Sequence, residues 1–370
     1  MLRSIIGIIL LLTLSVSLYA QDAATSVGQN AIEHRMRFFE GSPTKKFSSK
    51  TSSFKIKGQK FSTSSPAIFD GIGYAGTDSG CIFSVTASEI KLLCKLENAG
   101  AVEGAPAVTK ENVYVGFKNN LFAAFSRDDG KLLWKYETKG PITTTPLVHE
   151  KRVYFTTSNG LCYAFDAETG AFKWKFSVLS KASSPAYDKG ITFEKDIVYV
   201  GNDRQQLYAL NAKNGDKLWD HYGAGGQPLM TDLRVHGISK DGSIYALDKN
   251  TGHPDWHCRG TLNEGTTELA LANNTLVFGN GNNIIAVDSR SGEGFKWEKE
   301  LSRPLASAPI IIGDLVYAAC LDGKLYAFDL QTGNQYSSFD FGFTPQSSPA
   351  FIKEGMIYPN GSEILLIRNQ

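Results

Sequence analysis

Hydrophobic and polar residues alternate along most of this chain in short runs. Asn112-Val-Tyr-Val-Gly116 and Asp314-Leu-Val-Tyr-Ala318 are typical. A period of two with Val, Tyr and Phe on one side predicts half-buried strands. A Gly or Asn turn follows each such run, and then a second run: Cys-Tyr-Ala-Phe-Asp at 162–166, Leu-Tyr-Ala-Leu-Asn at 207–211, Ile-Tyr-Ala-Leu-Asp at 244–248, Leu-Tyr-Ala-Phe-Asp at 325–329. A turn of the type Asp166-Ala-Glu-Thr-Gly170 comes next. Its Asp accepts backbone hydrogen bonds, and its Gly takes the left-handed position that closes it. A last apolar run carries tryptophan.

The pattern repeats. Each unit opens on small polar residues ending in proline. Pro66, Pro106, Pro146 and Pro185 follow at steps of 40, 40 and 39, then Pro228, Glu268 in the proline's place, Pro309 and Pro349. These are eight starts of a four-strand unit, which predicts an all-β fold: an eight-bladed β-propeller with four antiparallel strands per blade. The small residues before each proline, such as Thr143-Thr-Thr145 and Ser347-Ser348, suit the crowding of innermost strands near the axis. All five tryptophans, Trp134, Trp174, Trp219, Trp256 and Trp297, fall in one slot of the repeat; Cys94 takes that slot in the first unit and Ser337 in the seventh. Identical placement in successive units predicts packing between neighbouring sheets rather than a row of ligand-stacking rings.

The eighth unit stops at Gln370, short of its last strand. Phe54 stands 12 residues before Pro66, as Trp134 stands 12 before Pro146. Phe54-Lys-Ile-Lys57 is therefore expected to supply the missing outer strand, closing the ring with strands from both ends of the chain.

Composition narrows the function. Charged residues are 20% and nearly balanced, with formal net charge +1, so no overall field favours nucleic acid. Arg3, the apolar run Ile5 to Leu18 and Tyr19-Ala20 resemble a secretory signal peptide over residues 1–20, with an N-terminal anchor helix as the alternative. No cysteine follows that run to take a lipid anchor, and no later stretch offers the 18 consecutive apolar residues of a membrane span. Residues 21–46 form a polar, basic lead with a short helix expected near Ile32 to Phe39, and residues 47–370 form the propeller. An exported, periplasmic or extracellular monomer is expected, in which membrane association would be peripheral.

The five cysteines are Cys81, Cys94, Cys162, Cys258 and Cys320. None is in a Cys-x-x-Cys spacing. Cys81 and Cys94 fall on the two strands of one hairpin, so an oxidising compartment would allow a disulfide between them; the alternative is two buried thiols offset by a bulge. Catalytic signatures are missing: there is no Gly-x-Ser-x-Gly, no His-Glu-x-x-His and no Gly-x-x-x-x-Gly-Lys. His253 and His257 flank Trp256 without a third metal ligand nearby in sequence. Among the residues preceding the prolines, Glu103, Lys181, Glu264, Arg303 and Gln346 depart from the small-residue pattern. They are candidates for partner contacts at one mouth of the channel, against the plainer reading of loop side chains meeting water.

The motif at 162–174, 207–219 and 244–256 resembles the pyrroloquinoline-quinone-type propeller repeat, and the eight units over about residues 54–370 are similar to the BamB-like branch of that family. The resemblance implies an extracytoplasmic, non-enzymatic scaffold without cofactor or metal, holding protein partners on its loops. The alternative within the family is a quinoprotein-like cofactor-binding protein or oxidoreductase, whose members carry insertions and a Cys-Cys pair that this sequence lacks.

Overall fold

A computed structural model describes residues 47–62, 64–178, 188–202, 205–239, 241–260 and 266–369. The expected leader, lead segment and short helix lie outside the described residues, as do Lys181 and Glu264. Eight four-stranded antiparallel sheets follow one another along the chain, and no helix occurs among the described residues. Blade I comprises Ala67–Phe69, Ile72–Gly76, Cys81–Val85 and Ile90–Lys95. Blades II to VII repeat that plan, each running from innermost to outermost strand.

Blade VIII is closed as the repeat arithmetic requires. Phe47–Lys55 pairs antiparallel with Glu363–Asn369, with Phe54 opposite Ile364 and Lys55 opposite Glu363. The N-terminal strand is longer than the Phe54–Lys57 segment read from the sequence, because its partner strand continues to Asn369.

The hydrophobic core is divided among the seams between blades. Both faces of each sheet are apolar near the axis, so each packs on a neighbour. One cluster joins blades III and IV through Tyr154, Trp174, Val198 and Leu210; another joins VIII and I through Ile364, Ile357, Ile68 and Phe83. Crowding at the axis is direct: Thr144 Oγ1 lies 2.9 Å from Thr156 Oγ1, and Ser307 Oγ lies 2.6 Å from Ser348 Oγ.

The tryptophans lock the seams at larger radius. Trp134, Trp174, Trp219 and Trp297 each donate their indole N–H to a backbone carbonyl of the next blade, at Ala167, Ala212, Lys249 and Leu330 respectively, over 2.9–3.1 Å. Each acceptor directly follows the Asp or Asn that opens the next blade's turn. The ring lies flat on that turn's glycine. A Cβ on Gly170 would sit 2.6 Å from the Trp134 ring, and its φ of +71° also excludes most side chains. The turn itself is held by Asp166, whose Oδ1 accepts from the N–H and hydroxyl of Thr169 at 3.0 and 2.9 Å.

One seam departs from the pattern. In blades II and IV, Tyr114 and Tyr199 join the tryptophan in donating to the same carbonyl, at 3.1 and 3.2 Å. Blade V has His236 in the tyrosine's place, and its Nε2 lies 3.1 Å from Ser289 O. Trp256 Nε1 and Ser289 Oγ are buried without a hydrogen-bond partner among the described residues. Unpaired buried polar atoms cost stability, so the seam between V and VI is the weakest by this criterion. Burial pushes His236 from 6.5 down to about 4. The unfolded chain therefore binds a proton that the folded one refuses between those values. Stability from this site is complete above pH 6.5 and falls as pH drops toward 4, by about 3 kcal/mol. In His236→Tyr we expect a higher urea midpoint at neutral pH and a shallower loss over that window. His149 and His221, which burial also holds low, account for a remainder common to both proteins. An unchanged pH profile in the variant would refute the assignment.

Candidate functional site

Antiparallel blades give a propeller two unlike ends. One carries the Asp-x-x-Thr-Gly turns between third and outer strands. The other carries the links from one blade to the next and the hairpins between second and third strands. Hydrogen bonds fix that second end. Lys118 N–H donates to Ala101 O, Ser158 N–H to Pro141 O and Leu321 N–H to Pro304 O, each at 2.8–2.9 Å. In blades III and II, Asn159 and Asn119 add side-chain bonds to the incoming links, at Lys139 O and Asn98 O. The links are thus rigid ledges, as a docking face requires.

Three of the five pre-proline residues expected at this end lie in described links. Glu103, in the link into blade II, is held by Lys118 Nζ at 2.6 Å. Arg303 is exposed in the link into blade VII, and its carbonyl lies 3.1 Å from Cys320 Sγ. Gln346 is exposed in the link into blade VIII, where its N–H donates to Tyr358 OH at 2.7 Å. The three belong to the links of different blades and are spaced around the ring.

In the link into blade VII, Ser302 engages a carboxylate that did not stand out in the sequence. Asp322 Oδ2 accepts from Ser302 Oγ at 2.6 Å and Tyr326 OH at 2.7 Å. Burial acts to raise the Asp322 pKa, but these hydrogen bonds outweigh it and hold the carboxyl below its usual range. The Asp322 carboxylate is therefore ionised at neutral pH. Its sequence signal was weak, because Asp322 reads as one more turn residue in Leu-Asp-Gly.

Other candidates come apart. Of the two readings left open for Cys81 and Cys94, the structure has the second: both are free, buried thiols offset by a bulge. A register shift between Ile82 and Phe83 sets Cys81 opposite Lys95 and Cys94 opposite Ile82. The two thiols consequently face different seams, Cys81 toward blade VIII and Cys94 toward blade II. Alkylation of the denatured, unreduced protein should label all five cysteines, each free in the structure; a mass short by two hydrogens would overturn this. His253 and His257 are exposed on the rim of blade V, and His221 of blade IV reaches Tyr245 at 5.7 Å, on which His257 stacks at 5.7 Å. No group of three His, Cys, Asp or Glu residues among the described residues is disposed to hold a metal.

Comparison with known proteins places this ring. The chain is 27% identical to the outer membrane protein assembly factor BamB of Shewanella oneidensis over 188 residues, 44% of this chain and 47% of that one. The chain thus spans about half the length of the curated relative it matches. The crystal structure of BamB from Moraxella catarrhalis superposes with a TM-score of 0.70 at 15% identity, covering 86% of this chain and 98% of that one. A quinohemoprotein alcohol dehydrogenase from Comamonas testosteroni superposes with a TM-score of 0.72 at 14% identity, covering 91% and 79%. Both structural likenesses establish the fold alone, since one propeller carries several functions. The sequence profile described as outer membrane protein assembly factor BamB matches residues 83–221 and 177–351. Together these spans cover well over half of the 370 residues, and the chain belongs to that family.

Proposed function

We propose that this protein is an extracytoplasmic, non-enzymatic scaffold for the assembly of outer-membrane proteins. The observation that carries the reading is the ring itself. All eight blades are complete, the links into blades II, III and VII are pinned to their own sheets, and the profile that matches is that of an assembly factor. Such an object offers rigid loops for a partner. The end bearing Glu103, Arg303 and Gln346 is the proposed docking face, with the Lys118–Glu103 pair and the Asp322 carboxylate giving it a charge pattern. An N-terminal leader over residues 1–20 would direct export.

A photo-crosslinking residue placed at Gln346 or Arg303, in cells, should capture a component of the outer-membrane assembly machinery, while one at Thr169 on the opposite end should not. Capture from Thr169 alone, or from neither end, would count against this face. The quinoprotein alternative has its own readout. Pyrroloquinoline quinone with calcium should leave the melting temperature unchanged, whereas a saturable rise would establish cofactor binding.

A further inference from the structure

The outer circumference of the ring is divided electrostatically in a way the net charge of +1 conceals. The outermost strands of blades I to III read Ile-Lys-Leu-Leu-Cys-Lys, Leu-Leu-Trp-Lys-Tyr-Glu and Phe-Lys-Trp-Lys-Phe-Ser. They hold five lysines against one glutamate. The outermost strands of blades V to VII hold two lysines against four acidic residues. Blade IV is neutral by the same measure, with one lysine and one aspartate. The outermost strand of blade VIII, Phe47–Lys55, holds two lysines and no acidic residue, so the basic residues are gathered on four consecutive blades, VIII and I to III.

Large apolar side chains stand among those lysines. Leu92, Leu133 and Phe172, one on each of blades I to III, are 48%, 45% and 49% exposed. The cause is a bulge common to blades I to VII, which on blades I to III turns apolar side chains outward among lysines. The register between third and outer strands shifts at Ile82/Phe83, Ala124/Phe125 and Ala164/Phe165. One residue of the outer strand is left without a partner, and two successive side chains turn outward instead of one. Lys91, Lys135 and Lys175 are exposed and make no ion pair with any described residue.

We infer that the outer rim of blades I to III is a docking surface for an anionic phospholipid bilayer. Three features select this partner over an acidic protein. The rim of a ring is convex, so it offers no groove for a peptide. Lys91, Lys135 and Lys175 are long, outside any ion pair with a described residue and spread over three blades, about 45° apart around the axis, which suits a diffuse field of phosphates better than a fixed carboxylate. The apolar residues sit beside the ammonium groups, the combination by which peripheral proteins insert shallowly among headgroups. Neighbouring seams hold the three blades rigidly together, through Val113 and Cys94 at one and Phe155 and Phe122 at the other. The inference concerns the rim, away from the loop face proposed above, and does not depend on it.

Flotation of the full chain with vesicles tests it. Binding is expected to vesicles of phosphatidylcholine with about 30% phosphatidylglycerol and not to phosphatidylcholine alone, with release at about 0.5 M salt. The triple variant Lys91→Gln, Lys135→Gln, Lys175→Gln should lower partitioning at least ~10-fold, and the pair Leu133→Ser, Phe172→Ser should also lower it. A control on the acidic arc, Lys296→Gln, Lys299→Gln and Phe295→Ser, should leave partitioning unchanged. All variants share the same N-terminal segment, so the differences read the rim. These are surface positions, and unchanged melting temperatures confirm that the variants fold. The inference is overturned by absence of anionic-vesicle binding, by equal loss from both arcs, or by binding to polyglutamate in place of vesicles, which would make the partner an acidic polypeptide.

Discussion

Trp174→Ala should lower the free energy of unfolding by about 3–5 kcal/mol, among the largest effects of any single substitution in the ring. The indole is 5% exposed, packs in the seam between blades III and IV against Tyr154, and donates to Ala212 O at 2.9 Å. Removing it empties a large volume between two sheets that cannot collapse together, because the ring fixes their separation. It also exposes the face of Gly215, whose missing Cβ leaves room for that ring at 2.7 Å. Arg152 still reaches the Ala212 carbonyl, so the acceptor is not orphaned and the cavity dominates. Urea unfolding measures the effect. A loss below about 1 kcal/mol would mean that the tryptophan seams do not hold the blades.

Deleting residues 1–57 should be worse than any point substitution. Blade VIII would lose Phe47–Lys55 and leave Glu363–Asn369 as a bare edge. The backbone bonds from Ile56 N–H to Ser362 O, at 2.9 Å, would go with it, as would the Lys55–Glu363 ion pair, an exposed contact of little weight by itself. We expect the melting temperature to fall by roughly 10 °C or more, with concentration-dependent association as unpaired edges meet. A synthetic peptide spanning residues 47–57 should restore the monomer and the transition. A truncated protein that melts and sediments like the full chain would show that the closing strand is dispensable.

Much of this was legible because the repeat is strict. Alternation gave the strands, the Asp-x-x-Thr-Gly turns gave their order, and Phe54, one period out of place, gave the closure. Each of these signals depends on neighbours within a few residues, or on a comparison between copies of one unit. The candidate site was less legible. Glu103, Arg303 and Gln346 stood out only as departures from a small-residue pattern, and nothing nearby in sequence marked Lys118 as the partner of Glu103 or Asp322 as the partner of Ser302. Those pairings cross from link to hairpin, 15 and 20 positions apart in the chain.

The bulge shows where local reading ends. Counted along the hairpin, Cys81 and Cys94 are symmetric about the turn and should face each other. One extra residue in the outer strand reverses the face of everything beyond it, because side chains alternate with a period of two. That single offset separated the thiols into different seams and turned Leu133 outward beside Leu132. His236 is similar: in sequence it is one more aromatic in the tyrosine column, and only the seam shows the Trp256 N–H beside it without a partner. The sequence by itself therefore determined the number of blades, the strand order and the closing strand, all set by short-range periodicity and turn chemistry. The tertiary structure alone decided which side chains meet across a seam, which face outward on the rim and which buried polar atoms lack a partner. Those outcomes depend on register and on packing between sheets that lie about forty residues apart in the chain.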